Sequence, residues 1–372
     1  MLYKIWNFVK RHKKKFIFGA VVLFGGRYFY HYVARKLRDF QDKEAAECLE
    51  HARRQHHFDN NQRTCNMTVL SMLPTLRERL VTLLNTEEIT EKLKSSPTDK
   101  VQLWEDLKLL SLTRVIVVVY ACTMMCMMLR VQLNIIGGYM FVDNVRQHKG
   151  MSANTAIAVT PTPVQERYLA LIREFFDKGV ENLVAKVKDA VYKETTSLTL
   201  KEKLSLHNLE AIIKHIRERI ENGREVSIKE IPTMPLCDFL ICWKTSSQDD
   251  VPSDDLYLQL LQETQDILES HDFHTVFSTG LDRGFAKLVD YLAEFYQPLQ
   301  KNETSRVELH DVSVPLAKLI PFLSGLLYKL GSDAPNPLVQ ELLLLEQTKT
   351  LAANIYEAFS QIDDIEDPQL AP

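Results

Sequence analysis

The chain has 372 residues, 45% of them hydrophobic and 25% charged, proportions that exclude a low-complexity or disordered protein and supply ample material for a core. A formal net charge of −4 gives no overall field that would attract nucleic acid. Six cysteines, none in a Cys-x-x-Cys pair, are too few in so long a chain for a disulfide framework and read as reduced thiols, which makes the sequons at Asn66 and Asn302 chance matches.

The charge is unevenly placed. From Met1 to Arg38 every ionised side chain is basic: Lys4, Lys10, Arg11, Lys13, Lys14, Lys15, Arg27, Arg35, Lys36 and Arg38. The cluster Lys10–Lys15 precedes the apolar run Phe16–Gly26. Arg27 interrupts that run, and the aromatic stretch Tyr28–Tyr32 continues it to Ala34. We read 1–15 as a basic targeting segment and 16–34 as a single transmembrane anchor. As a helix the anchor measures about 28 Å, close to the roughly 30 Å of a hydrocarbon core, with an aromatic belt at one interface. A central Arg costs about 2.5–3.5 kcal/mol, and roughly eight strongly apolar residues offset that only narrowly. Arg27 therefore has to snorkel or find a partner. A secretory signal, which lacks an Ala-x-Ala-like cleavage site here, and an interfacial or mitochondrial-type amphipathic segment are the competing readings. Beside an apolar span, the basic cluster suits anionic headgroups better than nucleic acid, or is simply a solvated flank. Orientation is ambiguous: positive-inside logic keeps the N-terminus in the cytosol, whereas the thiols favour a cytosolic C-terminal region.

The remainder, 35–372, reads as helix after helix. Residues 35–57 continue as a helix, followed by a turn at Asp59-Asn60-Asn61, and Pro74 opens or kinks a helix through Leu76, Leu80, Leu83 and Leu84. Asn85 with Glu88 forms a capping box for a short helix through Ile89 and Leu93. Ser96-Pro97-Thr98-Asp99 then caps a helix carrying Trp104, Leu107 and Leu110. Residues 115–129 are apolar all round and bracketed by Arg114 and Arg130. Fifteen residues span only about 22 Å, too short for comfortable crossing, so they read as a buried core helix, with a second span as the alternative. Flexible loops are expected at 147–163 and 244–255 and an acidic tail at 362–372. Helices are expected at 164–192, 199–222, 254–270, 273–295, 313–331 and 336–361. The fold class is all-α, an elongated helical bundle with an N-terminal transmembrane helix.

Chemistry is hard to find. Gly137-Gly138 lacks the Lys-Ser/Thr of a phosphate loop, no His-Glu-x-x-His is present, and His271 with His274 has no further ligand nearby to hold a metal. The cysteines have no recognisable His partner. The sequence asks for no cofactor and gives no catalytic set. By contrast, Lys100, Trp104, Leu107 and Lys108 share one helix face by i, i+3, i+4 spacing. A Trp flanked by lysines either packs the core or anchors a visiting amphipathic helix, and spacing leaves both open.

Long ordered strings carry a resemblance. Trp6-Asn7-Phe8 with Lys10-Arg11-His12-Lys13-Lys14-Lys15, the run Asn61 to Arg77, Trp104-Glu105-Asp106-Leu107-Lys108 and Leu129 to Tyr139 resemble the peroxin-3 family in its vertebrate form. So do Arg283-Gly284-Phe285, Pro315 to Lys318 and Ala353 to Phe359, and the likeness covers essentially the whole chain. It implies a peroxisomal membrane protein, targeted and anchored by its N-terminal segment in peroxisomal lipid, with its helical domain in the cytosol. It implies no enzyme but a docking receptor for peroxin-19, the soluble carrier that delivers newly made membrane proteins as cargo. It also implies that an amphipathic helix of the carrier lies in an apolar groove around a Trp corresponding to Trp104, with Leu107, Leu93, Thr90 and Lys100 beside it. Two readings compete: a helical tether on another organelle such as the mitochondrial outer membrane, and a helical enzyme using Cys65 or His271.

Overall fold

The apolar stretch 115–129 becomes the centre of an all-helical fold. The computed structural model describes residues 13–95, 98–148, 160–221, 239–240, 255–301 and 312–361. In chain order these form α1 (Lys13–Leu83), α2 (Thr86–Lys94), α3 (Lys100–His148), α4 (Thr162–Leu169), α5 (Leu171–Glu174), a π-helical turn (Phe175–Gly179), α6 (Val180–Thr195), β1 (Lys203–Ser205), α7 (Leu206–Glu221), α8 (Asp255–Glu269), α9 (His271–Lys301), β2 (Ser313–Pro315), α10 (Leu316–Leu330), α11 (Pro337–Leu344) and α12 (Glu346–Phe359). The expected fold class, all-α, holds. Residues 149–159 and 244–254 of the expected loops, and the tail 362–372, lie outside the described residues.

The chain divides into two compact units, 1–57 and 58–372. In the first, the described residues are the leading part of α1, and residues 16–34 fall within it. Lys10 and Arg11 lie outside the described residues, and Lys13, Lys14 and Lys15 form the first turn of the helix. Tyr30, Leu37 and Phe40 stand exposed along it.

In the second unit α3 is packed by α2, α6, α9, α10, α11 and α12. Every residue from 111 to 132 is buried. Lys100–Gln147 is the one helix among the described residues long and apolar enough to cross a membrane, and its most apolar stretch is wholly enclosed by protein. A helix without a polar face needs apolar surroundings on all sides, and the bundle supplies them.

Several expectations need correction. No turn forms at Asp59–Asn61, because α1 runs on to Leu83. Asn61 Nδ2 donates to the Leu133 carbonyl and to Asn134 Oδ1, both at 3.1 Å, and Gln62 Nε2 donates to Asn134 Oδ1 at 2.7 Å. Those partners remove the reason for the asparagines to leave a helix, and the buried stripe Cys65, Val69, Leu73, Leu76, Leu80 outweighs their poor propensity. Pro74 sits inside the helix on its exposed side, where water can serve the freed carbonyl. The helix expected to begin at Ser96-Pro97 starts at Lys100. Leu103 N donates to Asp99 O, which makes Asp99 the boundary residue, and Ser96 and Pro97 lie outside the described residues.

The helices expected at 199–222 and 313–331 are each preceded by a short strand. Leu204 pairs with Val314 in an antiparallel ladder, and both side chains are buried. Alternation over three residues is too brief to register in a sequence. The expected helix 336–361 breaks at Leu345, whose backbone is extended (φ −60°, ψ 124°), and 164–192 is interrupted by the π-helical turn. There Gly179 lets the Phe239 carbonyl approach so closely that a Cβ would meet it at 2.2 Å.

Candidate docking site on α2 and α3

Asn85 caps α2, its side chain accepting from Glu88 N at 3.0 Å as the capping box requires. Glu87 and Glu88 in the first turn suit the positive end of the helix, and Lys92 and Lys94 the negative end. The helix packs against α3. Ile89 and Leu93 are half-buried against the core, and Thr90 is half-buried with its hydroxyl returned to the Thr86 carbonyl at 2.8 Å.

On α3 the expected residues grade from surface to core. Lys100 is exposed, Trp104 is half-buried against the core, and Leu107 is buried. The indole is neither sealed in nor fully free, the condition of an anchor with one face left over. Val101, 75% exposed, adds apolar surface one turn away. Lys108 departs from the pattern. It is 3% exposed, and its ammonium donates to the Thr195 and Leu198 carbonyls at 3.2 and 2.8 Å and pairs with Glu105 at 2.5 Å. Its charged end is therefore turned into the protein, holding the end of α6 against α3.

A set of residues that spacing did not single out lies at the other end of α2. Arg114 is fully buried. Its Nη1 donates to the Thr86 hydroxyl, to Glu87 Oε1 at 2.9 Å, and at 3.5 Å to both the carbonyl and hydroxyl oxygens of Ser324. The Thr86 and Ser324 hydroxyls share a 2.6 Å bond, Tyr328 OH donates to Glu87 Oε1 at 3.0 Å, and the Tyr328 ring lies 5.3 Å from the guanidinium. Partial burial works against the Glu87 charge, but bonds from Arg114, its own amide and Tyr328 outweigh it and hold the carboxyl below its usual range. The available signal was Arg114 itself, a charge abutting an apolar run in a bundle and so in need of a partner.

The residues considered for catalysis are placed poorly for it. Cys65 is buried and burial pushes its thiol up to about 11, with Arg130 opposing, so it stays protonated at neutral pH. Burial likewise raises Cys122 to about 12. His271 is exposed, and the described residues contain no cluster of metal-ligating side chains. Asn66 accepts a 2.6 Å bond from the buried Arg130 guanidinium. A shallow surface concavity at the α11–α12 junction, lined by Arg283, Gln340, Leu344 and Glu346 among others, shares no residue with the Trp104 group.

Comparison with known proteins shows the family. The family model described as Peroxin-3 matches residues 7–100 and 94–358. The chain is 45% identical over 376 residues to Peroxisomal biogenesis factor 3 of Cricetulus longicaudatus, covering 98% of this chain and 100% of the relative. It is 44% identical over 380 residues to the Homo sapiens protein of the same name, with the same coverage. Peroxisome biogenesis protein 3-1 of Arabidopsis thaliana is 23% identical over 370 residues, covering 95% of this chain and 98% of the relative.

Proposed function

Since the chain belongs to the peroxin-3 family, whose relatives are named for peroxisome biogenesis, we propose that it acts in that process as the peroxisomal-membrane docking receptor for the soluble carrier peroxin-19. In this reading residues 16–34 anchor the chain in one pass, the basic segment with Lys10, Arg11, Lys13, Lys14 and Lys15 directs it to peroxisomal lipid, and the helical region faces the cytosol. The free, buried thiols of Cys65, Cys122 and Cys126 fit a reducing compartment. The carrier's amphipathic helix docks along α2 and α3 and releases membrane-protein cargo for insertion. The mechanism is reversible binding without covalent chemistry.

One observation carries the reading: Trp104 is only half-buried on α3, a helix that packs against α2, where Thr90 and Leu93 are half-buried too, and Lys100 one turn before it is exposed. Helix-in-groove recognition works through such anchors, where an aromatic ring already pinned on one side loses little freedom when a partner covers the other. Leu107, one turn on along α3, is buried. Lys94, at the end of α2, and Lys100, at the start of α3, are both exposed.

Trp104→Ala should weaken peroxin-19 binding by about 2–4 kcal/mol, on the order of 30- to 1,000-fold in affinity. The measurement is titration of peroxin-19 into the full chain in detergent micelles. Because Trp104 is only half-buried, the variant should remain folded, and unchanged affinity in a folded variant would remove Trp104 from the site.

A further inference from the structure

Resting on that docking reading, we propose that Arg114 is a positioning residue for the site: it grips the first turn of α2 through Thr86 and Glu87, ties that turn to Ser324 of α10, and so sets how α2 stands against Trp104. On α3, Trp104, Leu107, Ser111 and Arg114 follow one another at spacings of three, four and three, which puts them along one face. On α2, Thr86, Thr90 and Leu93 follow at four and three. The same two faces thus carry the docking residues at one end and the Arg114 cluster at the other.

A helix as short as α2 is marginal in isolation and takes its position from what it is attached to. Packing of Ile89 and Leu93 leaves sliding and tilting open, because apolar contact has no direction. The Arg114 bonds to Thr86 and Glu87 do have direction, and Ser324 supplies a fixed point outside the helix pair. Stability alone does not account for a guanidinium here. Its Nε and Nη2 make no hydrogen bond to the protein, and Glu87 is its one ion-pair partner among the described residues. A buried charge so incompletely matched is a weaker stabiliser than an apolar side chain of similar size. What an apolar side chain could not do is hold a hydroxyl and a carboxylate of α2 in register with α10. Tyr328 closes the cluster from the solvent side, with its ring beside the guanidinium and its hydroxyl on Glu87.

The test uses the full chain in detergent micelles and a fluorescent peptide of the carrier's amphipathic helix. Glu87→Ala, and more mildly Tyr328→Phe, should weaken peptide binding by about three- to ten-fold and raise amide hydrogen exchange across residues 86–94 in the free chain. Gln62→Leu removes a partner of Arg130, an equally buried arginine whose bonds go to α1 and the α11 end, and it should lower thermal stability while leaving peptide affinity unchanged. Wild-type affinity in Glu87→Ala overturns the proposal. So does weakened binding without increased exchange in 86–94, which marks a direct contact, or an equal loss in Gln62→Leu. Trp104→Ala in the same assay separates the two ideas. If it binds normally the docking reading falls; if it fails to bind while Glu87→Ala binds normally, only the role of Arg114 falls.

Discussion

Lys100 and Lys108 stand two turns apart on α3, on the side that also carries Trp104, and they meet different surroundings. Lys100 projects into solvent, whereas Lys108 ends between the carbonyls of Thr195 and Leu198 with Glu105 as its counter-charge. Helical spacing places both on one side of α3 but cannot say which ammonium turns inward, because the deciding acceptors lie almost ninety positions away in the chain. Lys108→Met keeps the stem and leaves two carbonyls and a carboxylate without their donor. It should cost about 1–3 kcal/mol of stability, at roughly 2–4 °C of Tm per kcal/mol. Lys100→Met should leave Tm unchanged and weaken carrier binding by about two- to three-fold, the scale of an exposed rim charge. Thermal melts and titrations of both variants check the pair, and the reverse assignment of effects would contradict the positions described. Trp104 was legible in the same partial way: its face of the helix could be read, while its half-burial depended on core packing that spacing does not show.

Between elements, close approach is governed by glycines that look unremarkable in the sequence. Gly137 and Gly138 of α3 first read as a pair without a phosphate-binding context, and their use is spatial. A Cβ on Gly137 would meet the Asn61 side chain at 2.6 Å, and one on Gly138 would meet Phe359 at 2.7 Å on its Cβ and 2.8 Å on its backbone. Gly137-Gly138 and the run beginning at Asn61 therefore belong to one joint between α1 and α3, and the resemblance strings that contain them are spatial mates. Gly325 of α10 has nothing within 4 Å of its own Cβ position. Ala is favoured over Gly by about 0.8–1.0 kcal/mol in a helix interior, and overpacking against a fixed neighbour costs about 1–3 kcal/mol. Gly138→Ala should accordingly lower the Tm, since its neighbour includes backbone of α12 that cannot turn aside. Gly325→Ala should raise it by up to about 1 kcal/mol of added stability. A differential-scanning comparison of the two single variants decides the matter, and a stabilised Gly138→Ala would show that α12 yields. Helix existence was readable from apolar periodicity, but the joints that merge 35–83 into one helix and split 336–361 into two depend on contacts between segments far apart in sequence.

At the level of the whole molecule, the question is which apolar helix meets lipid. The two apolar stretches are 16–34, interrupted by Arg27, and 115–129, which lies in the one helix among the described residues long and apolar enough to cross a membrane. The second is enclosed from Ser111 to Gln132, with its flanking arginines turned into protein: Arg114 onto Glu87 and Thr86, Arg130 onto Gln62 and Asn66. Moving that helix into a bilayer would break those arginine contacts and separate it from the helices packed on it. The proposed reading assigns attachment to the membrane to the N-terminal segment. A chain reduced to residues 42–372 should unfold cooperatively, retain its helical circular dichroism and bind peroxin-19, and it should appear in the supernatant after carbonate extraction of expressing cells. The full chain should remain in the membrane pellet. The supernatant would be the wrong place for 42–372 if α3 touched lipid, because no unfolding of the bundle is needed to keep an inserted span in the pellet. A truncated chain that is folded, binds the carrier and still pellets with membranes would therefore place a second lipid contact in the helical region, whereas release of the full chain would remove 16–34 as an anchor.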